Sequence, residues 1–237
     1  MSEPKQVGIL VIATRKYKQY FQQLIDSLAK HFLINHKIEI HLFTDSYEMY
    51  NIPDRIKIIN HPIISYGFPE ATLMRYHIFT AIAYPGCDYL YYLDVDMRLE
   101  QNVDNEILRD LVAVYHPGFY RGGGSWETNE VSTAYMEPKD RVSYYAGGFQ
   151  GGSNKVYYNA MLRMKANIQK DLDNKVTACW HDESHWNKHV AKFSGDLIEL
   201  SPSYCMVEEK ELRKKWKIEN FPAKIVALQK DHKTIRE

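Results

Sequence analysis

The chain of 237 residues holds only three cysteines, Cys87, Cys179 and Cys205. They are odd in number and none stands in a CxxC pair, which argues against a disulfide framework and fits a reducing compartment. No apolar run approaches the roughly 20 residues that a membrane-spanning helix requires. The start, MSEPKQ, lacks the charged and apolar regions of a signal peptide. These absences lead to the expectation of a cytoplasmic chain without a transmembrane segment, or of a catalytic domain cut from a longer anchored protein. No block of five or six basic residues occurs, and 30 basic side chains balance 30 acidic ones. The electrostatic footprint of a nucleic-acid-binding surface is therefore missing. Repeats, low-complexity stretches and clear linkers are absent too. The length suits one large α/β domain or two small ones. Phenylalanine is outnumbered two to one by tyrosine, nine against eighteen. A ring bearing a hydroxyl suits stacking on sugars or nucleotides, although a Tyr-rich ordinary core explains the same composition equally well.

What is present is patterned. Residues 7–13 (VGILVIA) are a continuous β-branched apolar run, as in a strand buried on both faces of a parallel sheet. Tyr17, Tyr20, Phe21, Leu24, Ile25, Leu28 and Phe32 follow at steps of three and four, which predicts an amphipathic helix. Residues 38–43 and 55–60 read as strands, 70–83 as a helix stopped by Pro85-Gly86, and 88–94 (DYLYYLD) as another buried strand. Beyond these the pattern predicts a short helix over 102–110 and a strand over 111–115. A mobile Gly-rich loop is expected over 122–129 and a Gly-rich turn over 146–153 (AGGFQGGS). A helix N-capped by Asn154 is expected to reach 172, with a shorter one over 182–190. Residues 208–217 (EEKELRKKWK) read as a solvated helical face and 228–237 as a flexible tail. The opening order β-α-β-β points to an open, mostly parallel α/β sheet with helices on its faces.

Three constellations could carry chemistry. Asp94-Val95-Asp96 follows a buried strand, the place where open α/β sheets bind ligands. On extended backbone the two carboxylates share a face and can converge on one hard cation, Mg²⁺ or Mn²⁺, itself shared with a diphosphate. A solvated turn is the plainer alternative. His181-Asp182-Glu183-Ser184-His185, after Trp180, could grip sugar hydroxyls with Glu183 against a reacting anomeric carbon. His181 and His185 also have the spacing of a zinc-hydrolase pair, but Asp182 replaces the Glu that serves as base there. A surface helix with Asp182 and Glu183 at its positive end is the third reading. Finally, Lys230, His232 and Arg236 on a tail could close over a diphosphate, or simply be solvated.

Together these pieces resemble glycosyltransferase family 6, the family of the ABO blood-group transferases and the α-1,3-galactosyltransferases. The resemblance is carried, in one order along nearly the whole chain, by Tyr17 in IATRKY, Phe43-Thr44-Asp45, Arg75 in LMRYHIF, Asp94-Val95-Asp96-Met97, HPGFY from His116, YYAGG from Tyr144 with Gly151-Gly152, WHDESHWNK from Trp180, Leu200-Ser201-Pro202, and Lys230-Asp231-His232 with Arg236. It implies a GT-A fold: one α/β domain over residues 1–237, with a Rossmann-like nucleotide and metal half (about 1–100) and an acceptor half with a closing tail (about 101–237). It implies a UDP-sugar donor, Mn²⁺ (or Mg²⁺), a galactose-terminated acceptor joined in α-1,3 linkage, and retention of anomeric configuration. Carried over by position, Ile12, Thr14, Tyr17, Arg75 and Val95 would meet the nucleotide. Asp94 and Asp96 would bind the metal, Lys230 and Arg236 would fold over the diphosphate, and Asp182 would bond the donor sugar. Ala146, Gly147 and Gly148 would shape the donor pocket, and their small size favours UDP-GalNAc over UDP-galactose. His116, Ser125, Trp180, His181 and Glu183 would line the acceptor, with Glu183 also at the reacting carbon.

The chain also departs from the family. The loop after HPGFY is short, and Thr128 and Asn129 replace two Arg. Val207 stands where an acceptor-reading Asp is found in the ABO enzymes, so the acceptor is the least determined part. A zinc hydrolase using His181 and His185, and a non-catalytic galactoside-binding module, are the rival readings.

Overall fold

The computed structural model describes residues 3–231 and residue 235. The first apolar run is β1, Gln6–Ala13. It lies between β2 (Lys37–Thr44) and β4 (Tyr89–Leu93), parallel to both, and β3 (Ile56–Pro62) is parallel outside β2. Val7, Ile9, Val11 and Ala13 enter one apolar layer, and Leu10 and Ile12 enter the other. Both faces of the strand are covered, which is why the run carries no polar alternation.

The first layer is filled by α1 (Phe21–His31), which buries Phe21, Leu24, Ile25 and Leu28. The single helix predicted from Tyr17 is in fact two pieces. Residues Arg15–Tyr20 form a separate 3₁₀ helix with no fully buried residue. It begins at Arg15, whose φ of 51° turns the chain sharply off the end of β1. The opposite layer holds α2 (Glu70–Leu73), α3 (Arg75–Phe79), α4 (Asn154–Asp173) and α5 (His181–Ala191) around Tyr76, Phe79, Tyr92, Tyr157 and Trp186. The helix predicted over 70–83 breaks at Met74 and ends at Thr80, whose hydroxyl donates to the Tyr76 carbonyl.

Beyond β4 the sheet is mixed rather than parallel. With β6 (Leu111–Val114), β7 (Phe149–Ser153) and β8 (Leu197–Leu200) the order is β3-β2-β1-β4-β7-β6-β8, and β7 runs antiparallel to both its neighbours. β7 corrects the turn predicted over 146–153. Its glycines mark crowding: a Cβ on Gly151 would lie 2.3 Å from the Tyr91 ring and 2.4 Å from the Leu90 carbonyl oxygen, and one on Gly152 2.1 Å from that of Asp110. Only Asn105–Ile107 of the helix expected over 102–110 forms, as one 3₁₀ turn. Asn154 is the first residue of α4, not its cap; its amide donates to the carbonyls of Tyr84 and Cys87, both at 2.9 Å.

A small second sheet, β5 (Met97–Leu99), β10 (Ile225–Ala227) and β9 (Met206–Val207), is followed or flanked by α6 (Lys210–Lys215), the charged helix expected near there. It brings the C-terminal segment back to the Asp-x-Asp turn. The Leu228 N–H donates to the Asp96 carbonyl at 2.9 Å, and Leu228 and Ile235 are buried, against the expectation of a loose tail from 228. His232 and Arg236, the other tail residues assigned to the diphosphate, lie outside the described residues. No helix among the described residues is long and apolar enough to cross a membrane.

Candidate active site

Strands to one side of β1 continue through β2 and β3, and to the other through β4. Between the carboxyl ends of β1 and β4 the connections part, and a cleft opens there, as expected at a switch point of an open α/β sheet. The cleft has a volume of about 260 Å³ and brings together Ile12, Thr14, Tyr17, Arg75, Asp94, Val95, Asp96 and Lys230. These are all the nucleotide and metal residues expected from sequence except Arg236. Its wall also includes Tyr66, Phe68, Thr72 and Tyr92. Tyr92 stands two residues before Asp94, on the same side of the strand, a period-2 signal present in DYLYYLD. Tyr66 and Phe68 sit in an irregular connection that carries no pattern.

Asp94 and Asp96 do not lie on extended backbone. Asp94 opens, and Asp96 lies within, a turn in which the Met97 N–H donates to the Asp94 carbonyl at 3.2 Å. The turn still directs both carboxylates into the cleft. Asp94 receives the Tyr92 hydroxyl and, at 3.4 Å, Arg75. Asp96 is 3 % exposed; Lys230 forms an ion pair with its Oδ2, an atom that has no aligned hydrogen bond. Two hard oxygen donors, one of them buried and paired with Lys230, fit a divalent cation such as Mn²⁺ or Mg²⁺.

Arg75 is the hub of the floor. Its buried guanidinium contacts Asp182 at 2.6 Å and Asp94 at 3.4 Å, donates to the Gly147 carbonyl at 3.1 Å, and lies 4.0 Å over the Tyr92 ring. Burial alone would lower its pKa, but the facing carboxylates, Asp182 first, hold it well above its ordinary value. Asp182 is raised to about 6, because burial outweighs the attraction of Arg75 and Asp94 adds repulsion.

Glu183 lies in the first turn of α5, next to Asp182, and is half-buried. Both carboxylate oxygens are held: Tyr144 donates to Oε1 at 2.7 Å and the Gly147 N–H to Oε2 at 2.8 Å. Burial raises Glu183 to about 7, with Asp182 adding to the rise and the two donors and Arg75 opposing it. The geometry depends on the small residues 146–148. A Cβ on Gly147 would lie 3.3 Å from Glu183 Oε2, and one on Gly148 2.8 Å from Asp94 Oδ2 and 2.6 Å from Met97 Cε. Tyr144 sits inside the YYAGG motif, but nothing in the motif shows that its hydroxyl reaches Glu183.

Of the residues expected at the acceptor, His116 packs against Tyr144, which bonds Glu183, Trp180 bonds Ser125, and His181 meets the cleft residue Phe68. His116 Nδ1 accepts the Gly118 N–H at 3.1 Å, which leaves the ring proton on Nε2. Burial lowers its pKa to about 4, so the ring is a neutral donor. Its ring meets Tyr144 and Phe119 at 5.7 and 5.0 Å. Trp180 is half exposed and its indole N–H donates to the Ser125 hydroxyl. His181, with φ of 51°, contacts the Phe68 ring edge-on at 5.3 Å. The loop over 122–129 is tied down at its end. Glu127, 6 % exposed, accepts the N–H of Asn129 at 2.7 Å and of Cys179 at 2.6 Å, linking Ser125 to Trp180. An acidic residue in a polar loop gave no sign of this.

The zinc reading of His181 and His185 finds no assembled site. His185 is buried, 3.7 Å from Asp171, and burial lowers its pKa to about 4. Among the described residues the His, Cys and acidic groups close enough to share a metal do not include this pair.

A mixed sheet that presents an Asp-x-Asp turn and a buried carboxylate at one cleft has the form of a GT-A glycosyltransferase. Comparison with known proteins gives the family. Residues 2–237 match glycosyltransferase family 6. The chain is similar to histo-blood group ABO system transferase 1 of Rattus norvegicus, with 30 % identity over 241 residues that span 97 % of this chain and 68 % of that protein. It is equally similar to globoside alpha-1,3-N-acetylgalactosaminyltransferase 1 of Homo sapiens, 30 % identical over 217 residues spanning 86 % of this chain and 62 % of the other. The chain belongs to glycosyltransferase family 6, a single α/β domain of GT-A fold, and its relatives imply a nucleotide-sugar donor and a glycan acceptor.

Proposed function

We propose that the protein transfers GalNAc, and more slowly galactose, from the UDP-sugar in α-1,3 linkage to a terminal β-galactoside, plain or fucosylated, with retention of configuration. The observation that carries this reading is Glu183: a carboxylate fixed through both oxygens, one of them by Gly147, whose carbonyl bonds the cleft-lining Arg75, beside Ala146, Gly148 and the Asp182–Arg75–Asp94 chain. The names of the relatives support the sugar and the linkage. The nucleotide half is formed by residues up to about 100 and the acceptor half by the rest.

In this reading Tyr17 stacks on the base, Ile12, Thr14 and Val95 hold the nucleoside, and Asp94 and Asp96 hold the cation. A divalent cation bound there supplies positive charge to the departing diphosphate. Lys230, paired with Asp96, is a second cation within reach of the same phosphates. Asp182 orients donor hydroxyls. His116, Ser125, Trp180 and His181 seat the galactose. Ionised Glu183 either forms a covalent adduct at the anomeric carbon or stabilises its oxocarbenium character during front-side attack. Incubation with UDP-GalNAc, Mn²⁺ and lactose should give an α-linked GalNAc on galactose O3 by NMR; a β-linked product, or none, would contradict the proposal.

Three consequences are measurable. EDTA, or Asp96→Asn, should lower UDP-sugar turnover by about 100-fold or more, since each removes charge stabilisation worth several kcal/mol; undiminished turnover would refute a metal at this turn. Gly147→Ala places a methyl 3.3 Å from Glu183 Oε2. It should reduce UDP-GalNAc turnover by about tenfold more than UDP-galactose turnover, the scale of one methyl group in a pocket; equal losses would argue against these residues as the sugar filter.

The third concerns pH. Glu183 must be ionised to act, and its folded pKa of about 7 lies above its ordinary value of 4.5. kcat/KM should therefore fall tenfold per unit below about 7. The same shift means that the folded state binds more protons than the unfolded one between 4.5 and about 7. Stability from this group thus decreases as pH rises through that window. A flat rate profile between about pH 5 and 8 would show that Glu183 is not the titrating catalytic group.

A further inference from the structure

Near the amino ends of the strands, away from the cleft, a second cluster of chemically active side chains lies within the sheet. Glu39 and His41 point to the same side of β2, and Cys87 precedes β4 on the far side of β1. A carboxylate oxygen, an imidazole nitrogen and the Cys87 sulfur all lie within 4.8 Å of one another. They meet across β1 because the residue between them is Gly8, paired with Glu39 and Leu90 in register. A Cβ on Gly8 would stand 3.1 Å from Cys87 Sγ, 3.6 Å from His41 Cδ2 and 2.7 Å from the Leu90 side chain. Gly8 to Thr14 is six residues of strand, so the cluster is about 20 Å from the Asp-x-Asp turn.

Two features set the cluster apart from an ordinary buried ion pair. His41 is 4 % exposed, yet its Nε2 has no aligned hydrogen bond, although Glu39 Oε1 is 3.0 Å away. Its Nδ1 is engaged by His61 Nε2 at 3.0 Å, with the two rings stacked at 12°. With the shared proton on His41 Nδ1, Nε2 presents a lone pair to the space shared with Glu39 and Cys87. That tautomer is the one a metal ligand requires, and His61 Nε2 is placed to accept the Nδ1 proton in it. Lys57 occupies the other carboxylate oxygen, Oε2, at 2.6 Å and leaves Oε1 facing His41.

We propose that Glu39, His41 and Cys87 form a binding site for one zinc-class divalent ion, with His61 orienting His41. Mixed sulfur, nitrogen and oxygen donors suit a borderline-soft ion, whereas the oxygen-only pair at Asp94 and Asp96 suits Mn²⁺ or Mg²⁺, so the two sites select different metals. Bonds of about 2.0–2.3 Å require the three donors to close by roughly an ångström. Burial raises the Cys87 thiol to about 11, so the sulfur carries its proton until the ion arrives. Binding then forms the metal–sulfur bond, breaks the S–H bond and releases one proton to solvent.

The test is a Co²⁺ titration of the EDTA-stripped full chain, read by the near-ultraviolet thiolate-to-cobalt band. One equivalent should produce the band and Zn²⁺ should displace it. Cys87→Ser should abolish it, while Cys179→Ser and Asp94→Ala should keep it. His61→Ala should weaken Co²⁺ binding by about 10–100-fold. No band in the parent chain, or a band that persists in Cys87→Ser, would overturn the proposal. Because a buried substitution can unfold the chain, the unmodified protein supplies a second readout: one equivalent of Zn²⁺ should slow alkylation of Cys87, followed by peptide mass spectrometry. An unchanged rate would equally overturn it.

Discussion

Glu183→Gln is expected to lower turnover of UDP-GalNAc by about 10³-fold, or about 4 kcal/mol of transition-state stabilisation, with donor affinity changed by no more than about threefold. The substitution keeps shape, removes the charge and replaces one accepting oxygen by a donating NH₂, so one of the hydrogen bonds from Tyr144 and Gly147 is lost as well. The wild-type carboxylate already accepts from Tyr144 at 2.7 Å and Gly147 at 2.8 Å, so it is held in place before any substrate arrives. Such preorganisation is what makes a charge count in the transition state rather than in ground-state binding. The amide cannot form an adduct and offers little stabilisation to a positive anomeric centre. Stopped-flow or steady-state UDP release, paired with calorimetric donor binding, separates the two effects. A variant that loses affinity but keeps kcat would reassign Glu183 to the acceptor pocket alone.

Arg75→Met should have the largest effect on stability. It removes the guanidinium that faces Asp182 at 2.6 Å and Asp94 at 3.4 Å, and leaves Asp182, 3 % exposed, beside a second carboxylate. Removing one partner of a buried pair costs about 3–5 kcal/mol, which for a chain of this size lowers Tm by about 6–20 °C. Activity should fall as well, since Arg75 also supports the Gly147 carbonyl at 3.1 Å. Adding Asp182→Asn removes the uncompensated charge and should restore part of the lost stability, a coupling that a double-mutant cycle measures directly. A Tm within about 2 °C of the parent would show that Arg75 is not the electrostatic keystone of the cleft floor.

Most of the fold was legible where a strand or helix is dictated by its own pattern. β1, β2, β4 and α1 follow from apolar periodicity because each buries the faces its sequence makes apolar. β7 was not legible. Gly147, Gly148, Gly151 and Gly152 look like turn residues, but at 151 and 152 the cause is the close passage of Tyr91, Leu90 and Asp110, which only the assembled sheet supplies. The mixed sheet follows from the same miss. Asn154 shows a similar limit: its local preference is to cap, yet the carbonyls of Tyr84 and Cys87, far away in sequence, engage its amide.

For the site, Arg75, Asp94 and Asp182 could be named from sequence through the family resemblance, while residue chemistry alone left sugar, zinc and surface-helix readings of the WHDESH segment open. Burial of His185 in the helical layer withdraws it from any shared metal with His181, a three-dimensional fact that i, i+4 spacing cannot convey. Tyr144 and Glu127 escaped notice because their roles are single long-range hydrogen bonds, to Glu183 and to the Cys179 N–H, and such bonds leave no periodic trace.

The most direct test of the central claim is UDP release from UDP-GalNAc with Mn²⁺ or with EDTA, each with and without lactose or 2′-fucosyllactose. Release that requires Mn²⁺ and rises when the galactoside is added is the expected result. Release that ignores both EDTA and acceptor, or no release at all, would contradict a metal-assisted transferase centred on Glu183.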